Sequence, residues 1–263
     1  MIRLEHVTLG YGRRTLVSDA CAEIAEGKLV ALLGRNGSGK STLLRATAGL
    51  EKPRGGRILM EGQDLATLRP EERAKLVSFV TTERVRVPDL KCRDVVALGR
   101  APHTDWTGRL RAEDRERVEE ALALLDMTEY AERTMDRMSD GECQRVMIAR
   151  AFAQDTPAIL LDEPTSFLDL PNRYELGVLL RRLAHEKGKR VLFSTHELDI
   201  ALTLCDAIAL IDPPQLHYLP TREMIASGHI ERLFRNDTVT FDPRTLRVVT
   251  RLDISQNHQT HTP

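Results

Sequence analysis

The chain has 263 residues, a length that one α/β domain with an inserted subdomain can occupy. Its 41% hydrophobic and 29% charged residues are ordinary for a folded cytosolic protein. Lys and Arg total 38 against 39 Asp and Glu, so no overall positive field draws the chain to nucleic acid or anionic lipid. Aromatic residues make up 4%, which argues against a stacking surface for single-stranded nucleic acid. We therefore expect no nucleic-acid partner.

Cysteine spacing and apolar runs indicate the compartment. The cysteines are Cys21, Cys92, Cys143 and Cys205. They are far apart in sequence and form no CxxC pair, so we expect neither a disulfide framework nor a bound structural metal. No apolar run approaches the roughly 18 residues that span a bilayer, and the start lacks the features of a signal peptide. We expect a chain that lies in a reducing cytoplasm and does not itself cross a membrane.

Strand patterns open the chain and recur through it. Residues Ile2 to Leu9 and Thr15 to Ile24 alternate like two half-buried strands joined by a tight GYGRR turn, which predicts an antiparallel hairpin. Continuous apolar runs at Leu29–Leu33, Ile159–Leu161 and Val191–Phe193 are each followed by helical sequence. This alternation predicts an α/β fold with a parallel sheet behind an N-terminal antiparallel β subdomain.

Two further regions interrupt or follow this pattern. Between Pro88 and Arg137 the strand signals vanish, and a helix with apolar positions at Val118, Leu122 and Leu125 predicts an inserted α-helical subdomain. After Ile211 the chain turns at a Pro pair, and short helix and strand signals follow. We expect the main domain over 1–211 and a small C-terminal extension over 212–263 that ends in a frayed tail.

The strongest motif is GRNGSGKST, which lies between a predicted buried strand and a predicted helix. Glycines allow consecutive backbone N–H groups to converge on phosphate oxygens, and the helix N-terminus adds partial positive charge. Lys40 can reach the β and γ phosphates, and the hydroxyl of Ser41 can ligate Mg²⁺. The motif predicts an ATP site that involves Gly34, Arg35, Asn36, Gly37, Ser38, Gly39, Lys40, Ser41 and Thr42.

A second motif, AILLDEP, places Asp162 and Glu163 at the end of a buried strand, where open parallel sheets bind ligands. We expect Asp162 to hold Mg²⁺ through water and Glu163 to polarise the attacking water. Standing alone, the pair could equally be two strand-end carboxylates that start a helix. The phosphate loop upstream favours the catalytic interpretation.

A third motif, MSDGE, resembles the LSGGQ signature of ABC ATPases. Ser139 and Glu142 also form the S-x-x-E pattern of a capping box, which would simply begin a helix. The two interpretations are compatible, since in the family this helix start faces the γ-phosphate bound by the other subunit. The resemblance implies that the partner's nucleotide is contacted by Ser139, Asp140, Gly141 and Glu142.

The resemblance to ABC ATPases covers Ile2 to about Ile211 and carries further roles. SFLD looks like the family's D-loop and places Asp169 in it, while STHELD puts His196 where the switch histidine belongs. The resemblance makes His196 a catalytic residue that contacts the γ-phosphate, although a lone histidine there is more often structural. Tyr11 corresponds to the aromatic residue that stacks on adenine.

The chain departs from the family at the Q-loop. Where the family has Gln after a short strand, VSFVTTERV places Thr82, followed by Glu83. The Thr82 hydroxyl could bond the Mg²⁺ shell, or Glu83 could take part, but neither has the reach and neutral amide of Gln. We retain Thr82 as a metal-binding candidate.

The resemblance implies an ATP-hydrolysing subunit of an importer that works as a dimer with ATP and Mg²⁺. Its expected partners are a second copy, integral-membrane permease subunits at the cytoplasmic face of the membrane and, indirectly, a substrate-binding protein. VALGR, from Val96 to Arg100, resembles the importers of metal chelates, with ferric siderophore or haem first and cobalamin next. The alternative is an ABC ATPase that acts without a permease on nucleic acid, ribosomes or cofactor assembly.

Overall fold

The computed structural model describes residues 1–83, 88–235 and 238–250. Its strands are β1 (Ile2–Tyr11), β2 (Arg14–Ile24), β3 (Leu29–Gly34), β4 (Gly55–Met60), β5 (Gln63–Asp64), β6 (Val77–Val80), β7 (Ala158–Leu161), β8 (Arg190–Ser194), β9 (Ala207–Asp212), β10 (Gln215–Pro220), β11 (Val239–Asp242) and β12 (Arg247–Thr250). Its α-helices are α1 (Lys40–Thr47), α2 (Pro70–Arg73), α3 (Cys92–Ala97), α4 (Ala112–Leu124), α5 (Asp140–Ala153), α6 (Leu170–His185), α7 (Leu198–Leu204), α8 (Thr221–Ala226) and α9 (His229–Phe234). Short 3-10 helices cover Leu98–His103, Thr128–Tyr130 and Met135–Arg137.

A six-stranded sheet forms the centre of the fold, in the order β10-β9-β3-β8-β7-β6. The five strands β9, β3, β8, β7 and β6 run parallel, and only the edge strand β10 is antiparallel. Every residue from Leu29 to Leu33 is buried, since both faces of the strand are covered. The predicted parallel α/β core is confirmed, and it aligns the carboxyl ends of β3, β7 and β8 at one edge.

A four-stranded antiparallel sheet, ordered β2-β1-β4-β5, packs beside this core. Strand β1 alternates between buried and more exposed positions, as expected for a sheet with one face on the core. It pairs with β2 up to the partners Tyr11 and Arg14, so the turn lies at Gly12 and Arg13. The predicted hairpin is confirmed, with both strands slightly longer than the sequence pattern indicated.

Helices fill the region in which strand signals are absent from the sequence. Helices α3 and α4 and the 3-10 helices of the described residues lie there, and α3 and α4 pack on α5. Val118, Leu122 and Leu125 are at most 2% exposed, as their spacing predicted. An isolated antiparallel β-bridge between Lys91 and Thr134 joins the two ends of this region. The helical character is confirmed, and the bounds 88–137 stay a prediction.

The C-terminal region is joined to the core sheet more closely than the sequence suggested. Strand β10 pairs with β9 along its whole length, so the expected boundary at 212 falls inside a hairpin of the central sheet. Helices α8 and α9 and the β11-β12 pair then follow. The expected frayed tail, 251–263, lies outside the described residues. Among the residues that the structure describes, none of the helices is both long and apolar enough to span a bilayer.

Candidate active site

The phosphate-loop motif forms a turn between β3 and α1. Three backbone carbonyl groups of this turn accept hydrogen bonds. Lys40 Nζ donates to the Gly34 carbonyl over 3.1 Å, and Arg14 Nη2 donates to the Gly37 carbonyl over 2.9 Å. The Arg35 carbonyl accepts the Ser38 N–H. With these oxygens satisfied, the loop can present its N–H groups to an anion.

Two glycines of this loop are required by geometry. Gly37 has φ of +73°, a left-handed conformation that glycine adopts without steric cost. A Cβ on Gly34 would lie 2.5 Å from Ser38 Oγ and 3.0 Å from the Ile211 carbonyl oxygen. The side chain of Ser38 is buried at this contact. A larger residue would therefore clash at position 34 and would strain the backbone at position 37.

Lys40 is the buried cation of the site, with 6% of its surface exposed. Burial lowers the pKa of its ammonium group, and the carboxylates of Glu163 and Asp162 oppose that shift. The lysine begins α1, so its charge lies beside the positive end of the helix. Positive charge is therefore concentrated at the position that a polyanion in front of the loop would occupy.

A cavity of about 500 Å³ opens in front of the loop. Tyr11 stands at its rim with 56% of its surface exposed, and its hydroxyl donates to Glu51 and lies 3.2 Å from Thr42 Oγ1. Arg35 faces elsewhere, because its guanidinium bonds the Leu233 carbonyl. The lining residues are Tyr11, Arg14, Leu16, Asn36, Gly37, Gly39, Lys40, Ser41, Thr42 and Glu163.

The two acidic residues that follow β7 are both bonded to one buried hydroxyl on the neighbouring strand. Ser194, at the end of β8, donates to Asp162 Oδ1 over 2.6 Å and accepts the Glu163 N–H over 2.8 Å. Ser194 is fully buried and Asp162 is 8% exposed. Parallel pairing of β7 with β8 brings these residues together, so the sheet itself fixes the spacing of the pair.

Glu163 and His196 are in direct contact. His196 Nε2 hydrogen-bonds Glu163 Oε1, and Ser166 Oγ donates to Glu163 Oε2 over 3.2 Å. Glu163 has φ of +47°, which is uncommon for a residue with a side chain and typical of functional sites. The structure thus brings together both predicted catalytic residues, with the glutamate held from two sides.

The predicted capping box at MSDGE is confirmed. The Ser139 hydroxyl accepts the Glu142 N–H over 3.3 Å, and Glu142 Oε2 accepts the Ser139 N–H over 2.7 Å. Burial alone would raise the pKa of Glu142, but the bonds from Ser139 and Tyr130 and the charge of Arg133 hold it below its usual value. The start of α5 is therefore a fixed and polar surface.

A second cavity, of about 580 Å³, lies at this helix start. The D-loop candidate Asp169 caps α6 by accepting the Asn172 N–H over 3.1 Å. The lining of this cavity includes residues of two motifs: Ser139, Asp140, Gly141 and Glu142 from MSDGE, and Phe167, Leu168 and Asp169 from the D-loop candidate. Among the described residues, the two cavities share no lining residue.

Thr82 contacts the backbone of Asp162. Its Oγ1 donates to the Asp162 carbonyl over 3.1 Å, and Asp162 in turn donates its N–H to the Val80 carbonyl. The hydroxyl oxygen keeps its lone pairs, so the contact leaves a metal-binding role open to test. The residue after it, Glu83, is exposed.

Sequence reasoning missed two residues that shape the site. Ser194 bonds the Asp162 carboxylate and the Glu163 N–H, and Arg14 bonds the Gly37 carbonyl. A polar residue at the end of an otherwise apolar strand was a visible signal for Ser194. An arginine in a hairpin turn gives no such signal, because its partner lies 23 residues away.

The family model described as ABC transporter matches residues 17–166, more than half of the chain. An uncharacterised ABC transporter ATP-binding protein of Methanocaldococcus jannaschii is 38% identical over 91% of this chain and 80% of its own length. The iron(3+)-hydroxamate import ATP-binding protein of Bacillus subtilis is 34% identical over 93% of this chain and 92% of its own length. The chain belongs to the ABC transporter family.

Solved structures agree with this assignment. An inward-facing transporter assigned to the metal-chelate type superposes with a TM-score of 0.78 and 28% identity, over 89% of this chain and 88% of that one. A dimeric ATP-binding cassette in a post-hydrolysis state, bound to ADP and Pi, superposes with a TM-score of 0.71 and 29% identity, over 84% and 99%. The chain has the ABC ATPase fold and is an ATP-hydrolysing subunit of this family.

Proposed function

We propose that two copies of this chain bind two ATP molecules between them and power the import of a metal chelate. The observation that carries the proposal is the separation of the nucleotide site into two cavities, one at the phosphate loop and one at the signature helix. Each cavity holds part of the chemistry that the family's ATP site needs. A head-to-tail dimer would join the phosphate-loop cavity of one copy to the signature cavity of the other.

In the first cavity the loop amides and the Lys40 ammonium bind the phosphates, since both are donors aimed at an anion. Tyr11 stacks on adenine from the rim of the cavity, where its ring is exposed. In the second cavity the γ-phosphate of the ATP bound by the other copy contacts the start of α5, where the helix dipole favours negative charge. The residues in contact there are Ser139, Asp140, Gly141, Glu142 and Asp169.

The oxygen groups at the first cavity fit a magnesium ion. Hydroxyl and carboxylate oxygens are the donors that Mg²⁺ prefers, and Ser41 and Asp162 supply one of each, with Thr82 as a further hydroxyl. The Asp162 carboxylate is kept in place by Ser194. When bound, the metal neutralises charge on the phosphates. The residues that would hold it are Ser41, Asp162 and, through its hydroxyl, Thr82.

Glu163 orients the water that attacks the γ-phosphate. Phosphoryl transfer depends on positioning and electrostatics, so a carboxylate fixed from two sides suits this role. Ser166 and His196 fix it, because each bonds one of its oxygens. His196 also lies where it can contact the γ-phosphate and complete the geometry of attack.

The cargo is a metal chelate, with a ferric siderophore or haem first and cobalamin next. Support comes from the VALGR segment, from the relative that imports iron(3+)-hydroxamate and from the metal-chelate type of the structural neighbour. Permease subunits bind the helical region 88–137 at the cytoplasmic face of the membrane, and a substrate-binding protein delivers the chelate. Closure of the dimer then changes access across the membrane.

Uptake assays test this function directly. Cells that lack the chain should bind labelled ferric siderophore at their surface but fail to accumulate it, and the native chain should restore accumulation. A Lys40→Ala chain should not restore it, whereas the exposed-residue control Lys75→Ala should. Normal chelate accumulation without the chain, together with lost uptake of a sugar, peptide or amino acid, would refute the cargo while leaving the ATPase in place.

A further inference from the structure

The phosphate loop is bonded to the C-terminal region through one side chain. Arg35 donates to the Leu233 carbonyl from Nε over 3.1 Å and from Nη2 over 2.7 Å, across 198 residues of sequence. Leu233 lies in the last turn of α9, where carbonyl groups have no partner within the helix. A cation at a helix C-terminus is also favoured by the helix dipole. The contact therefore satisfies both of its partners.

The same residue is part of the loop's own turn. The Arg35 carbonyl accepts the Ser38 N–H over 3.1 Å, which sets the turn that leads to the loop amides. The backbone of Arg35 is thus held by the loop while its guanidinium is held by α9. A shift of α9 would be transmitted to the turn, since one residue makes both contacts.

Helix α9 is itself anchored in the core of the protein. Ile230 is fully buried and Leu233 is 5% exposed, and both belong to the large apolar cluster that includes Phe241 of β11. Before α9, strand β10 pairs with β9, and β9 pairs with β3. In the second pairing, Ile211 of β9 lies opposite Gly34 of β3. The C-terminal region therefore rests on the sheet that carries the loop.

A cavity of about 330 Å³ lies between the loop and α9. Its lining includes Arg14, Arg35 and Arg232, together with Asp212. Close packing therefore does not fill the whole space between the two elements, and the Arg35 guanidinium bridges part of it. Such a bridge can be removed without emptying a packed core, so its effect can be measured separately from stability.

We propose that α9 is a positioning element of the phosphate loop and that Arg35 couples nucleotide occupancy to the C-terminal region. The inference rests on the proposed ATP site. Because coupling between two sites is reciprocal, α9 strengthens ATP binding by holding the loop, and bound ATP stabilises α9 to the same extent. Arg35 acts through the loop, while Lys40 and the loop amides contact the phosphates.

The ATP affinity of the chain provides the first test. Arg35→Gln keeps a polar side chain but removes the bidentate charged contact, and it should weaken ATP binding by about tenfold. The defect should appear as a higher ATP concentration at half-maximal turnover, because Arg35 acts on the loop that binds the phosphates. Arg232→Gln is the matched control, since it removes one positive charge from the same cavity and leaves the bridge intact. Equal loss of affinity in both variants would mean that charge, and not positioning, holds the nucleotide, which would overturn the inference.

Hydrogen exchange provides the reciprocal test. A non-hydrolysable ATP analogue should slow exchange at the amides of residues 228–235 in the native chain, and this protection should be lost in Arg35→Gln at equal nucleotide occupancy. Retained protection, or no protection in the native chain, would overturn the coupling.

A double variant distinguishes coupling between Arg35 and α9 from two independent losses of ATP affinity. Ile230→Ala should loosen α9, and its effect on ATP affinity should be smaller in the Arg35→Gln background than alone. Additive effects would count against the inference. If the native chain and Lys40→Ala bind the analogue equally, the proposed ATP site itself is wrong, which distinguishes that failure from failure of the coupling.

Discussion

The phosphate-loop cavity and the signature cavity are held in different ways. The first is fixed at close range, by Lys40, Arg14 and Ser194, each of which bonds the backbone or carboxylates that line it. The second lies at the start of α5, and the opposite end of this helix is held by a buried ion pair. Arg100 bonds Asp114 over 2.9 Å and the Ala153 carbonyl over 2.8 Å, and both side chains of the pair are 5% exposed.

This difference predicts that the first cavity governs ATP binding by a single chain and that the second governs dimer formation and turnover. A rigid cavity with a buried cation is suited to hold ATP in a single chain, because its donors are already in place. The start of α5 is held by its capping box, by the ion pair between Arg133 and Glu142 and by the packing of α5 on α3 and α4, so we expect it to move as one body with the helical region. VALGR contributes Arg100 to the buried ion pair at the other end of α5, so the motif positions the signature helix in addition to resembling the chelate importers. Substitutions in the two halves should therefore produce different defects.

The largest effect is expected from Glu163→Gln. The amide keeps the shape of the side chain but cannot orient or accept from water as a carboxylate does, so turnover should fall by about a hundred- to ten-thousandfold. ATP affinity should persist, and ATP should then trap the dimer. Steady-state hydrolysis and light scattering measure the two quantities. Glu186→Gln, a charge loss at the exposed end of α6, should hydrolyse ATP as the native chain does; a native rate in Glu163→Gln would exclude the catalytic role.

Lys40→Ala should damage the same half of the site in a different way. Removing the buried ammonium takes away a charged contact in both the ground state and the transition state, so ATP affinity should fall by roughly ten- to hundredfold. Isothermal titration with a non-hydrolysable analogue measures the change, with Lys75→Ala as the surface control. Native affinity in Lys40→Ala would show that the phosphates bind elsewhere.

Ser139 tests the signature half, where binding by a single chain should be preserved. Ser139→Ala removes a helix cap that is worth about 1 kcal/mol, whereas Ser139→Gly costs only a few tenths. If the hydroxyl contacts the partner's nucleotide, both variants should lose about tenfold in turnover and in ATP-dependent dimer formation. Analogue binding by the single chain should stay native. Loss in the alanine variant alone would mean that the residue serves only as a cap.

The residues of the phosphate loop and the capping box were predictable from sequence because each set is local. Glycines, a lysine and a capping pair act within a few residues, and the buried apolar runs define the strands that precede them. The positions of Asp162 and Glu163 followed from the same rule. Their roles, like that of His196, stay predictions, although the contact between Glu163 and His196 fits them.

The contacts between distant parts of the chain were not predictable. Arg35 meets Leu233 across 198 residues, and an arginine in this loop gives no sign of which carbonyl it will reach. The pairing of β10 with β9 was missed for a related reason, since the Pro pair at 213–214 suggested a boundary where the chain in fact turns back into the sheet. One sequence carries no direct record of such long-range pairs.

Thr82 should give the smallest effect, and it tests the place where the chain departs from its family. Its hydroxyl bonds the Asp162 carbonyl, so Thr82→Val removes that bond and any contribution to the metal shell while keeping the volume of the side chain. Mg²⁺-dependent turnover should fall by roughly three- to tenfold, and Mg²⁺-free ATP affinity should stay nearly native. Thr82→Ser retains the hydroxyl and should hydrolyse ATP at close to the native rate. Titration of Mg²⁺ separates two causes of a slower rate: if the hydroxyl serves the metal, more Mg²⁺ should be needed for half-maximal turnover, whereas loss of the Asp162 contact alone should lower the rate at every concentration. A native rate and a native Mg²⁺ requirement in Thr82→Val would assign the role to Glu83 or to water.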